Sequence, residues 1–251
     1  MPATPAWPPR SAPRLFIEQR IEAGVPIRIG GPQAHYLANV MRLRNGDVVI
    51  LCDDATGEWA AIPSEIGKRR VVLEPMNHLR PREEVPDIWL CSALLKKDRF
   101  STVLEKATEL GAARIQPVLT RRCVADKLNP ERARQIVTEA AEQCARSALP
   151  ELGDVTKLDA LLRDWPEDRT LFFADEQGGA PAAQAFAQSG EPAAILIGPE
   201  GGFDDAEREA VRAHRQAKPI TLGPRILRGE TAAIAALALW MGAAGDWTKG
   251  E

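Results

Sequence analysis

A chain of 251 residues, 45% hydrophobic and 27% charged, has room for one large domain or for a small and a medium one. No stretch approaches the long uncharged apolar run of a membrane helix, so a membrane-spanning protein is not expected. The net charge of −3 argues against a uniformly basic nucleic-acid binder but permits a local basic face: the first 78 residues carry 9 Lys+Arg against 8 Asp+Glu, residues 79–123 carry 9 against 6, and the remainder carries 14 against 21.

The first 13 residues, MPATPAWPPRSAP, are rich in Pro and Ala without an apolar centre, which predicts a flexible leader rather than a secretory signal. Residues 14–76 read as short strands, RLFIE, VPIRI, DVVILCD, EWAAIPSEI and RRVVLEP, separated by turn-formers such as GG, NG and DDATGE. Only QAHYLANVMRL (33–43) breaks the pattern, with the spacing of a short helix. Such a series predicts a small β-barrel. The polar, proline-containing segment 77–87 reads as a linker.

Beyond the linker the period changes. The apolar run IWLCSALL (88–95) suits a strand buried on both faces. A helix is predicted over DRFSTVLEKATELG, with Gly111 as C-cap, then a strand at RIQPVLT. A long helix is predicted over 129–149, with Asn129 capping and Pro130 at its first position. Strands at RTLFFADE, AAILIG and PITLG then alternate with helices at PAAQAFAQ, DDAEREAVRAHRQ and TAAIAALALWMGA, which predicts an α/β domain over 88–247 built on a parallel sheet. The cysteines (Cys52, Cys91, Cys123, Cys144) and histidines (His35, His78, His214) are scattered without a Cys-x-x-Cys pair. That points away from a metal site and toward reduced, mostly buried thiols in a cytosolic protein.

Two of the predicted strands end alike, in ILIGPEGGFDDAE (195–207) and ITLGPRILRGETAAIAAL (220–237). Parallel sheets bind ligands beyond the carboxyl ends of their strands. Gly198, Gly201 and Gly202 let a ligand approach the backbone, and Pro199 and Pro224 stiffen the loops. Tight turns alone would use the same residues. Neither loop is a phosphate-binding glycine motif, and Glu200 would repel a phosphate; an adenosine joined to a positive centre fits better. Arg225, Arg228 and Glu230 read either as a solvated charge run or as part of that site.

GPEGGF followed by LGPRILRGETA resembles the SPOUT methyltransferases, and within them the enzymes that methylate N3 of a uridine in small-subunit ribosomal RNA. EKATELGAARIQPVLTRR, EAAEQCARSALPEL, RLFI and AHYLANVMRLRNGD carry the same resemblance, which runs from about Arg14 to Leu239. It implies a PUA-like RNA-binding barrel followed by a domain with a trefoil knot, S-adenosylmethionine as cofactor, ribosomal RNA as partner, and a cytoplasmic homodimer. The sequence departs from the family pattern at Gly229, where a side chain is usual, and at Met41, where Leu is common.

For the cofactor the resemblance points to Leu196, Ile197, Gly198, Glu200, Gly201, Gly202, Leu222, Gly223, Ile226, Leu227 and Thr231. A guanidinium is suited to hold the negative charge that spreads over a deprotonated uracil. The first candidate is Arg146, with Glu142 one helical turn before it as its orienting partner, and Arg228 is the second, read alternatively as ordering the cofactor loop; the proton acceptor is left between water and Glu230. Arg14, His35, Asn39 and Arg42 are the implied RNA contacts, with Lys68, Arg69 and Arg70 or Lys96, Lys97 and Arg99 as further phosphate candidates or ordinary solvated surface. A SPOUT enzyme acting on another RNA or on ribose O2′, and a non-catalytic RNA-binding protein of the same fold, are the rival readings.

Overall fold

The computed structural model describes residues 7–9, 11–67 and 69–248. Most of the expected leader, and Lys68 of the basic triplet, lie outside those residues. The chain divides into two compact units, Met1–Glu84 with Ala141–Ala148, and Val85–Ala140 with Leu149–Glu251.

In the first unit β1 (Arg14–Phe16), β2 (Ile27–Gly30), β3 (Val49–Asp53), β4 (Gly57–Ile66) and β5 (Arg70–Arg80) form one sheet in the order β1-β3-β4-β5-β2. It is a half-barrel: among the described residues no ladder joins β1 to β2. Leu15, Ile27, Ile29, Val49, Leu51, Val71 and Leu73 fill its core. The expected helix over 33–43 is α1 (Gly31–His35) running into a π-helical turn at Tyr36–Val40. The β4–β5 ladder slips register three times, which accommodates Pro63 and Pro75, neither of which can donate a ladder hydrogen bond.

β5 continues to Arg80, well into the segment read from sequence as linker. Side-chain pairing rather than hydrophobicity holds this stretch. The His78 ring lies 4.8 Å from that of Trp59, and Arg80 donates to both oxygens of Glu58 at 2.8 and 2.9 Å. Arg14 adds a contact at 3.3 Å from its Nε to Glu58 Oε1. Burial alone would push the Glu58 carboxyl up, but Arg80, with Arg14 beside it, holds it below its ordinary value of 4.5. Asp53, 2% exposed, ties the β3–β4 turn together by accepting from the backbone N–H groups of Ala55 at 3.0 Å, Gly57 at 3.2 Å and Thr56, and holds the segment before β2 by accepting from Ile21 N–H at 2.6 Å.

The second unit is a parallel sheet of β6 (Ile88–Ala93), β7 (Arg114–Leu119), β8 (Glu151–Leu152), β10 (Thr170–Ala174), β11 (Ala180–Pro181), β12 (Ala193–Ile197) and β13 (Ala217–Thr221), in the order β11-β13-β10-β12-β6-β7-β8, with β9 (Thr156–Lys157) also on β7. The helices are α2 (Lys97–Glu109), α3 (Pro130–Cys144, whose last four residues belong to the first unit), α4 (Leu158–Arg163), α5 (Ala182–Ala187), α6 (Asp205–Ala213) and α7 (Gly229–Ala243). Side chains on β12 alternate between two cores. Ala193, Ile195 and Ile197 pack with residues of α2, α3, α5 and α7, and Ala194 and Leu196 with residues of α4 and α6. The sheet is thus covered on both faces. Among the described residues no helix is long and apolar enough to cross a membrane.

Local signals act as expected at several helix ends. Asn129 Oδ1 accepts from Arg132 N at 2.9 Å, and Gly111 lies two residues past Glu109, the last of α2, at φ +88°. α3, however, stops at Cys144 rather than running to residue 149. Ala145 takes φ +61° and Arg146 N–H donates to Ala141 O at 3.0 Å, the long closing bond that ends a helix through a left-handed residue. Segment 145–148 is then held by its own unit: Ser147 Oγ accepts from Glu83 N at 2.9 Å, and Glu83 Oε1 accepts from Ala148 N at 3.1 Å. Two of the four thiols, Cys52 and Cys91, are buried, and burial pushes each up to about 12; Cys144, by contrast, is exposed.

A carboxylate held below its unfolded pKa stabilises the fold above that value, and the contribution is lost as pH falls through the lower, folded-state value. Glu58→Gln is therefore expected to cost about 1.5–3 kcal/mol at neutral pH and to lessen the acid sensitivity of the first unit, read by urea unfolding with amide exchange in β4 and β5 at neutral pH and at about pH 4.

Candidate active site

The Gly-Pro loops follow β12 and β13. These strands are not neighbours in the sheet, because β10 lies between them. Three loops therefore meet at the carboxyl ends of β13, β10 and β12, and together they line one cleft.

The β12 loop turns where a side chain cannot be placed. A Cβ on Gly198 would sit 2.7 Å from Cε2 of Phe203, whose buried ring packs edge-on against Phe173 at 5.1 Å. Gly202 N–H donates to Pro199 O at 2.9 Å, and Gly202 itself takes φ +67°, the left-handed region natural to glycine. Asp204 then starts α6 through a reciprocal cap: its Oδ1 accepts from Glu207 N at 2.7 Å, while Glu207 Oε2 accepts from Asp204 N at 3.2 Å. Arg122, from the loop after β7, donates to Gly201 O at 3.1 Å and to Phe203 O at 3.3 Å.

The β13 loop is open to solvent. Gly223 takes φ +108°, and Ile226 is 94% exposed at the lip of the cleft. Arg228, also exposed, stands between the cleft-lining residues Leu227 and Gly229 and begins α7. Gly229 is buried against Leu95: a Cβ there would lie 2.9 Å from Leu95 Cδ2 and 3.4 Å from Gly198 O. The departure from the family pattern at this position therefore sits at a close seam between the start of α7 and the β12 loop.

Sequence reasoning missed the third loop, Ala174-Asp175-Glu176. Asp175 is buried and joins Arg212 at 2.6 Å and Arg208 at 3.3 Å, which fixes the loop. Glu176 is held at 2.6 Å by Arg208 but keeps half its side chain exposed within the cleft lining. The only signal in the sequence is the charged end of RTLFFADE, which periodicity cannot place beside residues some twenty or more positions later.

Of the expected cofactor residues, Ile197, Gly198, Gly202, Leu222, Gly223, Ile226 and Leu227 line the cleft. Leu196, Glu200, Gly201 and Thr231 do not. Leu196 points into the core shared with α4 and α6, and Glu200 meets Arg99 at 3.1 Å. Arg146 and Glu142 belong to the first unit. Glu142 Oε1 accepts from Phe16 N at 2.8 Å, and the helix that carries Glu142 ends at Cys144, with Ala145 in the left-handed region between it and Arg146. Arg146 is 5% exposed, not a solvent-facing helix end, and burial lowers its pKa to about 10, which leaves it cationic at neutral pH. His35, Asn39 and Arg42 are exposed together around the π-helical turn, whereas Arg14 is engaged with Glu58.

The sequence matches the family model described as RNA methyltransferase domain over residues 82–241 and that of the RNA methyltransferase PUA domain over 29–76. It is 33% identical to the ribosomal RNA small subunit methyltransferase E of Bacillus subtilis, over 89% of this chain and 94% of that one, and 30% identical to that of Rickettsia conorii, over 90% and 93%. The chain belongs to the ribosomal RNA small subunit methyltransferase E family. A family member from Neisseria gonorrhoeae, solved bound to S-adenosylmethionine, superposes with a TM-score of 0.85 at 27% identity, covering 94% of this chain and 99% of that one. A Legionella pneumophila protein in complex with the same cofactor gives 0.83 at 30% identity, again over 94% and 99%.

Gly202 carries two constraints in this family member, its positive φ and the nearness of Glu176 Oε1, 2.8 Å from where a Cβ would stand. Gly202→Ala is expected to destabilise the second unit by about 1–2 kcal/mol and to push Glu176 out of the cleft lining, measurable as a lowered melting temperature and weakened binding of an adenosine ligand.

Proposed function

We propose that the chain uses S-adenosylmethionine to methylate N3 of a uridine in small-subunit ribosomal RNA, as a cytoplasmic homodimer. The observation that carries this reading is the three-loop cleft. Glycine backbone and apolar side chains offer a flat surface for an adenine ring, and the half-exposed Glu176 offers a carboxylate to a positively charged ligand rather than to a phosphate. The cofactor supplies a methyl group carried on a cationic sulfur.

The chain's own part is placement and charge. N3 of uracil attacks only after losing its proton, and the negative charge then spreads onto the flanking carbonyl oxygens. Arg228 is the better placed guanidinium to hold that charge, being exposed between two cleft-lining residues. Arg146, nearly buried, would need its surroundings to open before it touched a base. The Glu230 side chain is turned toward Arg99, at 3.8 Å, so water is proposed as the proton acceptor. The target base must leave its stack, and the exposed group His35, Asn39 and Arg42 is proposed to hold the RNA around it.

Nucleoside mass spectrometry of ribosomal RNA from a strain lacking the gene tests the reading. Loss of 3-methyluridine alone supports it. Loss of a ribose-methylated nucleoside, or no loss at all, points to the other RNA-methylating or non-catalytic readings. Arg228→Ala is expected to lower the methylation rate by about a hundredfold or more while cofactor affinity stays within about threefold; Arg146→Ala, assayed beside it, ranks the two guanidiniums.

A further inference from the structure

Arg99, near the start of α2, reaches a carboxylate in the first Gly-Pro loop and another in the first turn of α7, just after the second. Its Nη1 lies 3.1 Å from Glu200 Oε1 and its Nε 3.8 Å from Glu230 Oε1. All three side chains are partly or largely covered, with Arg99 at 32%, Glu200 at 19% and Glu230 at 16% exposure. Glu200 follows Pro199 and Glu230 follows Gly229, and both of those neighbours line the cleft. The two loops also approach each other directly, through the seam between Gly229 and Gly198 O. Two carboxylates converging on one point of limited solvent access repel unless a cation lies between them.

We propose that Arg99 is a positioning residue, a clasp that neutralises this pair and fixes the spacing of the two loops, so that its charge governs how tightly the cleft takes the adenosine methyl donor. This rests on the cofactor reading above. It also removes Arg99 from the phosphate contacts expected from LKKDR, since its guanidinium is already engaged by two acids.

Calorimetric titration of S-adenosylmethionine into the full-length protein tests it, comparing wild type, Arg99→Ala, Arg99→Lys and the triple variant Arg99→Ala/Glu200→Gln/Glu230→Gln. Arg99→Ala is expected to weaken binding by about fivefold or more, and Arg99→Lys by no more than about twofold. The triple variant, which removes the repulsion along with the clasp, should recover most of the loss. A purely packing role for Arg99 would give no such recovery, because the triple variant restores no atoms. The proposal is overturned if Arg99→Ala binds the cofactor as wild type does, if the triple variant is no better than Arg99→Ala, or if Arg99→Ala weakens only RNA binding in a filter assay. A wild-type protein that binds no S-adenosylmethionine at millimolar concentration would instead sink the cofactor reading itself.

Discussion

Burial of β12 on both faces governs the architecture of the second unit. Its five residues alternate into two separate cores, and it is hydrogen-bonded on either side by β10 and β6. No position along such a strand can carry a polar group cheaply. Polar and charged groups can enter only where the strand ends, and there the packing of Phe203 against Phe173 leaves Gly198 no room for a side chain. The cleft is the result. It forms where a fully enclosed strand gives out and the backbone, rather than side chains, faces the opening.

The first unit depends on a different balance. Its sheet is small and, among the described residues, its edge strands β1 and β2 pair with nothing beyond, so polar pairings do part of the stabilising that a larger core would do. Glu58 shared by Arg80 and Arg14, and Asp53 drawing the backbone N–H groups of Ala55, Thr56 and Gly57 around one turn, are largely covered charges whose partners are in place. Such groups favour one register over its alternatives, because any slip would leave a covered carboxylate without donors. The three register shifts between β4 and β5 are tolerated in that setting.

What sequence could show and what it could not divides along range. Strands such as AAILI, the amphipathic spacing of Phe100, Val103, Leu104 and Ala107, the cap at Asn129 and the helix start at Asp204 are local features, and they stand close to where the sequence put them. The order of strands is not local. That β10 lies between the two loop-bearing strands, and so brings Glu176 to the cleft, follows from pairing between distant segments. The strand character of residues 77–80 depends on Trp59 and Glu58 some twenty positions earlier. The early end of α3 is a third case, since Ala145 adopts a conformation that alanine resists and that no composition rule anticipates. The two-residue strands β8, β9 and β11 are too short to leave a periodic signature.

The excursion of residues 141–148 bears on how this molecule can be dissected. The polypeptide returns to its first folded body some sixty residues after leaving it, then goes back to the second. Cleavage after residue 84 would therefore not yield two self-sufficient pieces. The amino-terminal fragment would lack a segment that Glu83 and Arg80 grip, and the carboxyl-terminal fragment would carry that segment, Arg146 included, stripped of those hydrogen-bonding partners. The two bodies are interleaved along the chain, so no single cut separates them.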